Sequence, residues 1–201
     1  MLCIALFCGT FCQNLSGFYL SVRRALFAVY LSCFCVPLGA SAPFFGPYQN
    51  AVMGSLGWGM TRQIFGFFGS KTMTETQSNR LYSGSYFLAG TVFDFPLRHR
   101  FDASFTHNKK YPEFTHWSFG WMPELLFGLD PFYFAVGFGP YLKSRKTPTS
   151  GGLFAMGANA AVGVTVAQWN IEVYLRHYSN AYTSHPNKGS DFWGVALSYA
   201  F

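Results

Sequence analysis

His177, Ser179 and Asp191 are the residues of this chain whose types and spacing could do chemistry. They lie in the stretch RHYSNAYTSHPNKGSD, from Arg176 to Asp191. A histidine and a serine two apart on an extended strand project from the same face, and a carboxylate on a paired strand can reach the imidazole. Such a set supplies a nucleophile, a base and a group that orients the base, which is what acyl transfer requires. The competing reading is a group of unrelated polar residues at a strand end, because His-x-Ser alone is common. Asn180 and Asn187 bracket the intervening loop and could donate to an oxyanion, although asparagine in a turn equally serves turn chemistry.

The trio needs two neighbouring strands, and the composition says what kind. Half of the 201 residues are apolar, 20% are aromatic and 11% are charged. A soluble domain carries about 25% charge, so an ordinary water-facing surface is excluded. The 24 Phe, 12 Tyr and 5 Trp exclude a disordered chain. Mean hydropathy is only +0.17, and beyond position 42 no apolar run approaches the roughly 20 residues of a spanning helix. Alternating strands are the remaining way to cross a membrane. Counting back from the C-terminus, the candidates are Asp191–Phe201, Trp169–Asn180, Gly152–Ala167, Pro131–Leu142, Glu113–Phe127, Arg98–Asn108, Leu81–Phe95 and a first strand beginning near Ala51. Each is near or above the roughly 9–11 residues that cross a bilayer as a tilted strand. The predicted fold is all-β, an eight-stranded antiparallel up-and-down transmembrane β-barrel preceded by an N-terminal signal peptide. Gln63–Ser78 carries the weakest pattern.

Alternation assigns the faces. Phe132, Phe134, Val136 and Phe138 share one face, with Ala135, Gly137 and Gly139 on the other. Bulky apolar groups belong against lipid and small or polar groups inside. By the same parity Trp169, Ile171, Val173, Leu175, His177 and Ser179 face outward, as do Asp191, Trp193, Val195, Leu197 and Tyr199. The chemical trio thus falls on the lipid-facing wall, at one end of two paired strands. If the terminal Phe201 lies at the periplasmic rim, that end is extracellular. Glu172 and Arg176 share the inward face, where an internal ion pair or hydrogen-bond network is expected.

All five cysteines, Cys3, Cys8, Cys12, Cys33 and Cys35, precede position 36. Arg23 and Arg24, the apolar run Ala25–Leu38 and the small residues Gly39-Ala40-Ser41-Ala42 read as an export signal over residues 1–42, leaving 43–201 as the barrel. A cysteine-free mature chain suits passage through an oxidising periplasm. An apolar stretch ahead of Arg23 is what an over-long reading of the start would give. Without Arg23 and Arg24, 12 basic side chains face 8 acidic ones. Lys109-Lys110 and Lys143-Ser144-Arg145-Lys146 read as solvated loop tips, able also to touch phosphorylated lipid, rather than a nucleic-acid surface. Gly137-x-Gly139 sits within an alternating strand and reads as inward-facing glycine, not a nucleotide loop. His99, His107, His116 and His185 lack a tight ligand spacing, so neither metal nor cofactor is expected.

The C-terminal hairpin resembles the lipid A 3-O-deacylases of the PagL type. The resemblance is carried by His177-Tyr178-Ser179-Asn180-Ala181, Pro186-Asn187, Gly189 and the acidic Asp191, and more loosely by Gly137-Phe138-Gly139-Pro140-Tyr141 and Gly151-Gly152-Leu153. It implies an eight-stranded outer-membrane esterase that hydrolyses the 3-position acyl ester of lipid A. Ser179 would be the nucleophile, His177 the general base and Asp191 the orienting acid. Two residues depart from the family pattern: Asp191 stands where Glu is usual, and Tyr182 stands where Gly commonly follows. The first shortens the reach to the imidazole by roughly 1.5 Å; together they predict weakened catalysis or altered substrate placement. The expected partners are lipid A or lipopolysaccharide as substrate and the outer membrane, with no nucleic acid, and a homodimer left open. The alternatives from other classes are a non-catalytic barrel for adhesion or envelope stability and, less favoured because eight strands leave little lumen, a diffusion pore.

Overall fold

The computed structural model describes residues 49–61, 74–93 and 95–201; the expected signal segment lies outside them. Eight strands are present among the described residues: β1 Ala51–Gly59, β2 Asn79–Val92, β3 Phe95–Asn108, β4 His116–Leu129, β5 Phe132–Lys143, β6 Phe154–Val166, β7 Trp169–Ser179 and β8 Ser190–Ala200. Each pairs antiparallel with its sequence neighbours, and β1 pairs with β8 to close the barrel. Closure gives every strand a partner on both sides, the condition for β-structure in hydrocarbon.

Strand ends depart from the expected ones where the backbone turns. Phe93 adopts φ 48°, so the chain reverses before Phe95, which opens β3 rather than closing β2. Pro112–Phe114 forms a single 3-10 turn, and β4 starts at His116, not Glu113. Another 3-10 helix, Thr74–Ser78, precedes β2. At one end the strands are joined through residues 93–94, 130–131 and 167–168; at the other the connections are the longer 60–78, 109–115, 144–153 and 180–189. Short periplasmic turns and long extracellular loops are the habit of outer-membrane barrels. The 180–189 loop is therefore extracellular, and Phe201 is at the periplasmic rim.

The faces follow the alternation. Phe132, Phe134, Phe138, Val162, Val173 and Leu197 are exposed on the outer wall, whereas Ala135, Asn159, Glu172 and Arg176 are buried. The inward set is bulkier than small-or-polar. Tyr133, Tyr141 and Tyr174 are buried there, their rings lying against glycines of neighbouring strands. Gly137 faces inward too, where a Cβ would collide with Glu124.

Charge fills the rest of the lumen. Arg98 pairs with Glu124 and, at 2.6 Å, with Glu172; Arg100 lies 3.2 Å from Asp102 and 3.5 Å from Glu124; Arg176 lies 3.4 Å from Asp102. Among the described residues this network sets three guanidinium groups against three carboxylates, all buried. Neutral donors complete it: Tyr133 Oη donates to Glu172 at 2.7 Å, Ser85 Oγ to Asp102 at 2.6 Å and Asn159 Nδ2 to Glu124 at 2.9 Å. Glu172 and Arg176 are inside and belong to an internal network as expected, with Arg98 and Asp102 as their ion-pair partners. Four residues along a strand separate two side chains by roughly 13 Å, so each pairs across the lumen instead. Lys143 also departs from its expected place. It continues the inward parity of Tyr141, is buried, and donates from Nζ to the Ser150 carbonyl at 3.3 Å. Only Ser144, Arg145 and Lys146 form the exposed tip.

Arg98 pairs with two carboxylates, so Arg98→Met leaves Glu172 with no cationic partner and Glu124 with only the longer contact to Arg100. The expected cost is about 3–5 kcal/mol, read as a lowered urea midpoint of the barrel in detergent micelles. Arg98→Lys keeps a charge but loses the fork geometry and should recover only part of it. Unchanged stability in Arg98→Met would show that the lumenal charges do not hold the wall together.

Candidate active site

Register decides what the C-terminal hairpin brings together. In the β7–β8 ladder His177 stands directly opposite Asp191, and Tyr178 opposite Ser190. His177 Nδ1 and Asp191 Oδ1 are 2.6 Å apart. An ionised carboxylate can only accept, so Nδ1 carries the proton, and in a neutral imidazole the acceptor nitrogen is then Nε2. Asp191 is 3% exposed and its Oδ2 has no hydrogen-bond partner, so the imidazole is the group that answers its charge. The shorter acid loses no contact here, because a directly opposed cross-strand pair needs no extra methylene.

Ser179 is the last residue of β7, two beyond His177, and is half-buried. On its other side it pairs with Met156 of β6. Strand alternation puts it on the same wall as His177, with Arg176 and Tyr178, on either side of the histidine, turned into the barrel. There Arg176 donates to Tyr178 Oη at 3.3 Å, and Tyr178 meets Tyr141 edge-on at 5.0 Å. The strand bearing the histidine is thus pinned from inside. Beneath Asp191 on the outer wall, Trp193 stacks on Trp58 at 4.9 Å. Tryptophan marks the headgroup level of a membrane protein, so the imidazole stands at or just above that level.

Asn180 is fully buried and its amide is used within the loop. Nδ2 donates to Ser184 O at 2.6 Å, with Ser184 Oγ at 2.9 Å and Pro186 O at 3.0 Å, while Oδ1 accepts from the Tyr182 N–H at 3.1 Å. The Asn180 N–H donates to Asn187 Oδ1 at 3.0 Å. The Asn180 donors are engaged within the loop, and Asn187 contributes its Oδ1 there. Ala181 and Tyr182 both adopt positive φ, 50° and 61°. At Tyr182 a left-handed conformation is held by a bulky residue, which explains physically why glycine suits this position.

Gly189 carries a role that spacing did not reveal. Its φ is 69°, and a Cβ there would come 2.7 Å from His177 Cε1 and 3.3 Å from Nε2. The glycine forms a wall against the imidazole edge. The loop holding it is stitched to the 144–153 loop: Gly151 N donates to Pro186 O and Lys188 N to Thr149 O, both at 2.8 Å, and Ser150 bridges Asn187. A side chain at Gly151 would strike the His185 carbonyl. The Gly-Gly and PN-x-G signals were legible in the sequence; that they form one brace was not.

A larger concavity, about 720 Å³, lies elsewhere on the outer wall, bordered by Leu56, Tyr82, Phe105, Trp117, Ile171 and Leu197. Its β7 and β8 borders lie below Trp193, at the depth of the acyl chains, and it adjoins none of the polar trio.

A family model described as lipid A 3-O-deacylase (PagL) matches residues 86–200. The chain belongs to the PagL family. Its fold is similar to that in a crystal structure of the outer membrane enzyme PagL, at 17% identity and TM-score 0.52, covering 75% of this chain and 99% of that one. It is similar also to a de novo designed transmembrane β-barrel, at 11% identity and TM-score 0.50, covering 78% and 98%. No curated protein sequence matches it. Family and fold together support a lipid A deacylase role for this PagL-family barrel, in the bacterial outer membrane.

Two substitutions probe the loop. Gly189→Ala should leave a folded barrel and lower ester hydrolysis about a hundredfold, the scale of a 1 Å misplacement of a reacting group. Tyr182→Gly should raise unfolding stability by about 1 kcal/mol, the cost of a left-handed non-glycine residue. The checks are hydrolysis of lipid A in micelles and denaturant midpoints, respectively.

Proposed function

We infer that the protein hydrolyses the 3-position 3-hydroxyacyl ester of lipid A with Ser179 as nucleophile, His177 as general base and Asp191 as the residue orienting the imidazole. The observation that carries this reading is the 2.6 Å His177–Asp191 pair on the outer wall, two residues from a serine, at the level of the aromatic girdle. Ser179 Oγ attacks the ester carbonyl as its proton passes to His177 Nε2. The tetrahedral intermediate collapses, and the sugar 3-oxygen leaves with that proton, giving acyl-Ser179. Water then attacks the acyl carbonyl, loses a proton to His177, and the fatty acid departs as Ser179 regains its proton. Ester and water give acid and alcohol, with the enzyme unchanged.

The position of the pair fits the substrate. Lipid A sits in the outer leaflet, so its ester reaches a site on the barrel wall by lateral diffusion, without entering the lumen. The lumen would admit nothing of that size, since it is filled by the Arg98–Glu124–Glu172 and Arg176–Asp102 groups.

Incubation of the purified protein with lipid A should yield a product lighter by one 3-hydroxyacyl chain, with the free 3-hydroxyl located by fragmentation. Ser179→Ala and His177→Asn should each lower the rate by more than about a thousandfold, and Asp191→Asn by a comparable factor through the wrong imidazole tautomer. Loss of a different chain would reject the ester position; a Ser179→Ala variant of full activity would reject the triad.

A further inference from the structure

Charge on a lipid-facing wall is costly at mid-bilayer and is tolerated at headgroup height, where phosphate can answer a cation. Arg80 is such a cation. It is the second residue of β2 at the extracellular end, as Asp191 is of β8. It is exposed and shares the outward parity of Tyr82, Gly84 and Tyr86. Nη1 donates to the Gln77 carbonyl at 3.2 Å and to the Asn79 carbonyl at 3.0 Å. Those bonds steady the guanidinium and leave Nε and Nη2 as further donors. Among the described residues the ion pairs belong to Arg98, Arg100, Arg176 and His177, and no carboxylate answers Arg80.

Arg80 continues the wall that bears the polar trio. His177 stands opposite Asp191; two residues along β8, Trp193 stands opposite Trp58, and Trp58 in turn opposite Arg80. Three strand spacings and two residues put about 16 Å of wall between the His177 and Arg80 Cα atoms. An extended arginine side chain takes up part of that span, and a headgroup of two sugar rings the rest. Below Arg80 on the same face lies the concavity of about 720 Å³, within the roughly 300–1,000 Å³ of ligand pockets. Its floor is small. Gly54 stands opposite Gly84 and Gly84 opposite Ala103, and a Cβ on either glycine would meet nothing within 4 Å. Leu56 and Val195 edge it directly beneath the Trp58–Trp193 stack. A cation above an apolar trough at acyl depth suits a lipid with phosphate on its headgroup and several chains below.

We propose that Arg80 binds a phosphate of the lipid A molecule whose ester is presented to Ser179. This is the phosphate on the sugar ring farther from that ester, and another acyl chain of the same molecule lies in the trough over Gly54 and Gly84. The assignment deepens the esterase reading and rests on it. Guanidinium and phosphate match in charge and in fork geometry, so the headgroup is held at a second point, away from the reacting atoms. Arg80 is thus a specificity residue that favours the phosphorylated substrate. A diacyl phospholipid, whose phosphate and esters are only a few bonds apart, does not span from Arg80 to Ser179.

The test crosses variants with two substrates in the same micelles: lipid A with both phosphates, and lipid A lacking the phosphate of the farther ring. Each variant is first checked for a folded barrel by heat-modifiable gel mobility. The parent should show a kcat/KM about tenfold higher on the doubly phosphorylated lipid, the scale of one hydrogen bond to a charged group. Arg80→Gln should lose that preference, and Arg80→Lys, which keeps the charge without the fork, should retain part of it. Gly84→Leu, which fills the trough, should slow hydrolysis of both lipids by the same factor. No preference in the parent, or an undiminished one in Arg80→Gln, overturns the phosphate contact and leaves the triad standing. A Gly84→Leu variant at parent rates overturns the acyl trough. A parent that hydrolyses neither lipid overturns the esterase reading, and this assignment falls with it.

Discussion

Hydrocarbon leaves the backbone no water to bond with, and the whole molecule follows from that constraint. Each strand must be paired on both sides, so β1 closes on β8 and no edge remains. Once closed, the sheet allows each side chain only two directions, lipid or lumen. A barrel of this size has room inside for side chains and nothing else. The lumen therefore has to be filled to protein density, and whatever charge is placed there must be neutralised there. Tyrosines lying on glycines do the first, and the balanced set of three arginines and three carboxylates does the second.

The same constraint explains why the proposed site is on the outside. With the lumen filled, chemistry on a membrane lipid has to be done from the wall. A polar group facing lipid is costly at mid-bilayer and much less so near the headgroups. His177 and Asp191 occupy the extracellular strand ends, above the Trp58–Trp193 stack, where that cost is smallest. Burial of Asp191 behind the imidazole lowers it further, because lipid meets the ring rather than the carboxylate.

The two faces are coupled through β7. Arg176 and Tyr178, one residue either side of His177, are anchored to Asp102, Asn159 and Tyr141 within the lumen. The interior network thus fixes the strand that presents the histidine, and the braced 144–153 and 180–189 loops fix Gly189 against its other edge. Rigid support from both sides is what a reacting group requires, since small displacements cost large factors in rate.

Much of this was legible in the residues. Phe132, Phe134 and Phe138 alternating with Ala135 and Gly137 announced a strand with one face in lipid, and the sum of such segments announced eight. His177-x-Ser179 and the parity of Asp191 put the polar trio on one wall, and the HYSNA and PN-x-G stretches pointed to the family. Period-two alternation is a local property, so sequence alone determines which side of the sheet a residue faces. It does not determine which residue stands opposite. The direct pairing of His177 with Asp191, the exchange that gives Glu172 to Arg98 and Arg176 to Asp102, the inward turn of Lys143 and the approach of Gly189 to the imidazole are all matters of register or of contact across the lumen. Those depend on how eight strands close on one another, and only the folded barrel decides them.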